Sequence, residues 1–303
     1  MTKTSPGKRQ TKSTQRLCRI GPRDIQILTA LERCPLTAEQ LQRLSVTFVM
    51  PFRDTNNLRR RLRRMAKAGY ISSWPYAVAT EGRSPRYFKL AREGYRILHG
   101  MDCRLPKRRR FEAMSPAHHH HTFCLAELTV HVLVTAFRNG CAIEHFAPEN
   151  SVRLECDPFT LIPDCSFVIR RPDGRTFPFV VELDNSTERI RSKLDVESIE
   201  RKLRGYDAHQ SVFAHDDPER YLVLFVATRS QRRVQHILDL AAMVMRQPRR
   251  TVFVGTTLNS FLECDPFKDA VLQDHRGLKR MLVPGGGAKS RQSIQQKTVA
   301  LVP

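Results

Sequence analysis

Residues 161–206 read LIPDCSFVIRRPDGRTFPFVVELDNSTERIRSKLDVESIERKLRGY, and this stretch decides the fold. Leu161 to Arg170 and Thr176 to Leu183 form two strands around a Pro172-Asp173-Gly174 turn, and a charged helical segment follows. Both strands carry more apolar side chains than a half-buried alternation needs, which places them near the centre of a sheet. Yet Asp164 opens one strand, and Glu182 and Asp184 close the other. An unpartnered carboxylate is costly to bury, so acids at these positions line an edge, a polar network or a metal site.

The flanks extend the same pattern. Upstream, His121 to Phe137 reads as an apolar helix stopped by Asn139-Gly140, then a strand at Cys141 to Phe146 and irregular sequence through Phe159. Downstream come an apolar strand at Tyr221 to Ala227, an amphipathic helix at Val234 to Met245 and a strand at Thr251 to Val254. Alternating strands and helices predict an α/β domain over 117–275, with 276–303 as a flexible tail. The run His118 to His121 reads as a helix start or a packed histidine, with His121 the most plausible metal ligand among the four. LECDPF occurs at Leu154 to Phe159 and again at Leu262 to Phe267, but the flanks do not repeat and no function attaches to it.

Charge separates the two ends of the chain. Residues 1–113 hold 26 Lys and Arg against 8 Asp and Glu, whereas the remainder holds 25 against 22. A surplus localised in this way points to a polyanion partner for the first third of the chain, with a solubilising surface as the alternative. Residues 1–18 are rich in Lys, Ser, Thr and Gln and read as a disordered basic tail.

Over 19–100 the elements follow a recognisable order. Ile25, Ile27, Leu28 and Leu31 give the apolar face of a first helix, ended by Cys34-Pro35; Thr37 and Gln40 form a capping box for a second. The third helix, from Asp54 or Thr55 to Ala68, has Leu58, Leu62 and Met65 as a narrow inward stripe, with Gly69 as its stop. Arg59, Arg60, Arg61, Arg63, Arg64 and Lys67 occupy its other faces, and Asn56 and Asn57 stand where a recognition helix meets base edges. Two short strands, Tyr70 to Trp74 and Tyr87 to Leu90, then form a ribbon with Arg83 and Arg86 near its tip. Three helices and a ribbon make an N-terminal winged helix-turn-helix domain; a short helix at Ala91 to Leu98 and a basic linker over 101–116 follow.

No apolar run reaches membrane-spanning length, and the basic N-terminus lacks a signal peptide's apolar segment, so the sequence reads as cytoplasmic. The eight cysteines include no CxxC pair and read as free thiols of a reducing compartment.

This order of modules, with the words PD, VVELDNSTE and KLRGY, resembles the replication-relaxation family of plasmid and mobile-element proteins. The resemblance extends from about Pro22 to Val254 and includes the Arg-rich third helix, the His121 region, Pro163-Asp164, Glu182 to Asp184 with Thr187-Glu188, and Lys202 with Tyr206. It implies binding of double-stranded DNA in plasmid or mobile-element replication or mobilisation, with replication or mobilisation proteins as partners. A palindromic DNA site would imply a homodimer.

A more distant resemblance is to the PD-(D/E)xK nuclease fold, which implies an α/β nuclease-like second domain, α+β overall with the first. That resemblance assigns Asp164 and Glu182 to the two strand acids and Glu127 to the helix acid, with magnesium or manganese as cofactor. Asp184 stands where the motif has lysine, and Lys202 from the following helix is the substitute, ahead of Lys193. In that reading Asp164, Glu182 and Asp184 hold the ion, and Lys202 orients water or offsets phosphate charge. The leading function is therefore an accessory DNA-binding protein whose acids pair with neighbouring basic residues, and the alternative is a metal-dependent DNA endonuclease or nickase. A winged-helix transcriptional regulator is a third.

Overall fold

The computed structural model describes residues 19–77, 84–156, 159–185, 190, 198–214 and 217–284. The tail over 1–18, Arg83, Thr187-Glu188, Lys193 and residues 285–303 lie outside the described residues. The chain divides into two units, Met1–Ser115 and Pro116–Pro303.

In the first unit, Pro22 opens helix α1 (Pro22–Arg33), where its missing N–H costs nothing. Strand β1 (Leu36–Thr37) leads into α2 (Ala38–Leu44), and Thr37 and Gln40 close the capping box: Gln40 N–H donates to Thr37 Oγ1 at 3.1 Å and Thr37 N–H to Gln40 Oε1 at 2.8 Å. Helix α3 (Thr55–Lys67) is capped by Asp54, which accepts from Asn57 N–H at 2.8 Å, and it buries Leu58, Leu62 and Met65. Strands β2 (Ile71–Pro75) and β3 (Arg86–Leu90) pair antiparallel, and β1 adds to the other edge of β3.

Helix α4 (Arg92–His99) packs so closely that a Cβ on Gly94 would lie 2.1 Å from the Tyr70 carbonyl oxygen. The segment expected to be a linker belongs to this unit. Phe111 is buried, Lys89 Nζ donates to the Glu112 carbonyl at 2.7 Å, and Met114 N–H donates to the Tyr87 hydroxyl at 3.0 Å.

The second unit begins with α5 (His119–Arg138), which starts two residues before the periodicity indicates. Strand β4 (Ala142–Ala147), a small hairpin of β5 (Leu154–Cys156) and β6 (Phe159–Leu161), and the pair β7 (Cys165–Arg170) and β8 (Thr176–Asp184) follow. The expected strand from Leu161 to Arg170 is thus broken at Ile162-Pro163, because Pro163 has no N–H for a ladder. Next come α6 (Ile199–Gln210), β9 (Leu222–Ala227), α7 (Gln231–Val244), β10 (Phe253–Thr257), α8 (Leu258–Leu262), β11 (Leu272–Asp274) and β12 (Lys279–Arg280). Seven strands form one mixed sheet in the order β12-β11-β10-β9-β8-β7-β4, with β8, β9 and β10 parallel and the outer pairings antiparallel.

Period-2 alternation divides β8 between two cores. Phe179, Val181 and Leu183 pack with Leu125, Leu128 and Val132 of α5, and Val180 packs with Leu203 and Tyr206 of α6 and Val234 of α7. The folded unit also runs past residue 275, where the tail was expected to begin. Asp274, wholly buried, accepts from Arg280 and Arg276 and from the backbone N–H groups of residues 276 and 278, and Leu282 and Val283 are buried.

Gly94→Ala should destabilise the first unit by about 3 kcal/mol, the upper end for overpacking, because the obstacle is a backbone carbonyl that cannot swing aside. Urea denaturation measures it, and a loss below about 1 kcal/mol would show that α4 slides freely on the Tyr70 turn.

Candidate functional site

The alternation that sends Val181 and Leu183 toward α5 turns Glu182 and Asp184 toward α6 and α7. Both carboxylates are buried, at 4% and 6% exposure. Helix α6 answers the first. Lys202 Nζ donates to Glu182 Oε2 at 2.9 Å, and the Tyr206 hydroxyl donates to Glu182 Oε1 from one turn further on. Lys202 and Tyr206 stand four residues apart and so share one face of α6. Helix α7 answers the second: Arg233 donates to both oxygens of Asp184, at 2.7 Å and 3.0 Å.

Asp164 stands just before β7, where its N–H donates to the Val181 carbonyl at 3.1 Å and its Oδ2 accepts from Leu183 N–H at 2.6 Å. Its other oxygen lies 3.1 Å from His121 Nε2, and His121 Nδ1 lies 3.2 Å from the Asn185 side-chain amide. His121, Asp164, Glu182, Asp184, Asn185 and Lys202 together line a cavity of about 80 Å³. Of the acids expected at this site, Asp164 and Glu182 face the cavity and Asp184 is clamped by Arg233. Glu127 is partly buried on α5 and lies outside the cavity lining, almost two turns along the helix from His121.

Burial pushes the Glu182 carboxyl up to about 7; Lys202 opposes the rise and the nearby Asp164 charge adds to it. Burial disfavours protonated His121, but the hydrogen bond and charge of Asp164, with Glu149 and Glu182 further off, carry its pKa above the ordinary value. Burial also raises the Tyr206 phenol well above its usual range.

Basic groups cluster in the first unit. Arg60, Arg64 and Asn57 of α3 line a groove of about 650 Å³ with Arg23, Arg53, Met50 and Phe52, and the Arg23 guanidinium lies 4.6 Å over the Phe52 ring. Asn56, Arg63 and Lys67 are exposed, and Arg59 is exposed beside Glu39 in an ion pair. Arg61 lines the same groove but is pinned: both carboxylate oxygens of Asp24 accept from it, and the Arg19 carbonyl accepts at 2.9 Å, so it ties α3 to the start of α1. Near the tip of the ribbon, Arg86 donates across to the Ser73 carbonyl at 2.8 Å. No helix among the described residues is long and apolar enough to cross a membrane.

The family model described as replication-relaxation matches residues 28–217. The chain belongs to the replication-relaxation family. Membership suggests a role in the replication or mobilisation of plasmids and other mobile elements, with partner proteins from the same processes. In this family member the matched span holds α3, His121, Asp164, Glu182 and Lys202, and Arg233 lies beyond it. Searches of curated proteins and of solved structures found no match.

Tyr206 stands out in the sequence only with Lys202, in the KLRGY word of the family resemblance. Arg233, Asn185 and Glu149, which lies near Asp164, carry no local signal, because their roles arise only when the sheet assembles.

Glu182 and His121 both have raised folded pKa values, so each contributes stability that is full below its unfolded pKa and is lost as pH rises through its folded one. For Glu182 the window runs from the ordinary 4.5 to about 7. In EDTA, the melting temperature of wild type minus that of Glu182→Gln should fall across that window. A difference that stays level or grows would show that Lys202 keeps Glu182 ionised throughout.

Proposed function

We propose that this replication-relaxation protein nicks DNA, with its first unit acting as a winged helix-turn-helix module that docks duplex DNA and its second as a PD-(D/E)xK-like nuclease. The observation that carries the reading is the meeting of Asp164, Glu182 and the Lys202 ammonium at one small cavity. The acids come from adjacent antiparallel strands and the amine from the helix that follows, which supports Lys202 as the substitute for the lysine absent at Asp184.

Oxygen donors of Asp164 and Glu182 at a partly open cavity suit a hard divalent cation such as magnesium or manganese. When bound, such an ion supplies Lewis-acid polarisation of a phosphodiester and lowers the pKa of water. The chain's own groups account for the remaining needs of hydrolysis. A carboxyl with a pKa near 7 is divided between its two forms at neutral pH, so Glu182 suits accepting the proton of an attacking water. Lys202 places a positive charge beside the phosphate, where negative charge grows in the transition state. Asp184, held by both nitrogens of the Arg233 fork, positions α7 and takes no part in ion binding.

Affinity for DNA belongs to Arg60, Arg63, Arg64 and Lys67 on the open face of α3, with Asn56 near base edges and Arg86 at the ribbon. Arg61 is a fold residue in this reading. The accessory DNA-binding reading draws on the same Asp184–Arg233 pair and on the engagement of Glu182 by Tyr206 and Lys202, and one experiment separates the two.

Wild type, Asp164→Ala and Glu182→Ala are incubated with supercoiled and linear DNA in magnesium, manganese or EDTA, with binding measured in parallel. Metal-dependent nicking by wild type, lost in both variants while binding persists, is expected; tight binding without cleavage in any metal leaves the accessory role. For the first unit, Arg60→Ala with Arg64→Ala should lower the slope of log affinity against log salt by about 2, on the order of one per phosphate contact. An unchanged slope would remove the open face of α3 from the interface.

A further inference from the structure

We infer that His121, Glu149 and Asp164 form the seat of a divalent cation that prefers manganese to magnesium. The inference deepens the nuclease reading and rests on it only for what the ion does, because binding is measurable without DNA.

Among the described residues, one ligand atom from each of these three side chains lies within 4.8 Å of the other two. Ligands bonded to one ion at about 2.0–2.2 Å lie up to about 4.4 Å apart, so small side-chain movements close the site.

Sheet register explains how Glu149 arrives there. Strand β4 runs antiparallel to β7 with Ala142 opposite Arg170, Ile143 opposite Ile169 and Glu144 opposite Val168. Past a bulge the partner of Ala147 is Ser166, one residue out of step, and His145 within the bulge has φ 47°. Strand β4 ends with that pair; Glu149 lies in the turn two residues on, as Asp164 stands two residues before Ser166. The bulge bends the end of β4, and the turn that follows brings the Glu149 carboxylate near Asp164.

The third donor is nitrogen. Among the described residues, Asn185 Oδ1 is shielded from solvent and has no hydrogen-bond partner, while the amide nitrogen of the same side chain faces His121 Nδ1. The two ends of an amide are assigned by their surroundings. Turned by half a rotation, Asn185 Oδ1 accepts a hydrogen bond from Nδ1–H and leaves the Nε2 lone pair directed at Asp164. Such an outer hydrogen bond is the usual means of orienting a metal-binding imidazole. Magnesium favours oxygen donors and water, and a mixed set of one imidazole and two carboxylates shifts preference toward manganese.

The test titrates Mn²⁺, and separately Mg²⁺, into the full chain without DNA, following free Mn²⁺ by electron paramagnetic resonance and heat by calorimetry. Wild type should take one Mn²⁺ at least about tenfold more tightly than Mg²⁺, and His121→Ala and Glu149→Gln should each weaken Mn²⁺ by about tenfold or more. Glu149 is exposed, so its glutamine variant keeps the fold if His121→Ala does not. No Mn²⁺ binding by wild type, or wild-type affinity in Glu149→Gln, overturns the inference. Binding as expected with no nicking in any metal supports the inference and overturns the nuclease reading. Magnesium-dependent nicking by Glu149→Gln at the wild-type rate does the reverse.

Discussion

The second unit depends on a carboxylate placed in the middle of a sheet. Glu182 is 4% exposed, on a strand hydrogen-bonded on both sides, and a charge there without partners would cost several kcal/mol. Its two oxygens are divided between a Lys202 ammonium and a Tyr206 phenol from successive turns of one helix. That requirement fixes the rotation of α6 about its axis as firmly as the contacts of Leu203 and Ile199 do. The same logic sets α7, where Arg233 takes both oxygens of Asp184.

These two ion pairs differ in what they leave accessible. A guanidinium fork on a carboxylate uses both acceptor oxygens in a planar, rigid contact, and Arg233 is 13% exposed. The Lys202 contact is a single bond from a flexible stem, and its side chain, 20% exposed, lines a cavity shared with Asp164 and His121. One pair locks a helix, and the other locks a helix while keeping a cation beside open space.

Much of this is legible in the sequence. Strands β7 and β8 announce themselves by apolar runs around Pro-Asp-Gly, and Asp164 and Glu182 stand out because acids are costly in such runs. Helix α3 follows from the spacing of Leu58, Leu62 and Met65. Arg61 carries a pairing that its own helix does not announce, because its partner, Asp24, lies on another helix. Strands β11 and β12, of three and two residues, are too short for any periodicity, and their order comes from one buried acid, Asp274. The segment before residue 115 resembles a linker in composition, yet it is held by Lys89 and Phe111, each an ordinary residue locally.

Charge distribution links the two units in the proposed chemistry. Asp164, Glu149 and Glu182 lie close together in a unit of nearly balanced charge, and a phosphodiester approaching them meets repulsion until cations offset it. Lys202 offsets part, and a bound ion offsets more. Attraction at a distance must then come from the first third of the chain, where 26 basic residues face 8 acidic ones. In the proposed function, such a division assigns DNA affinity to one unit without metal, while the acids of the other take a phosphate only when their charge is neutralised.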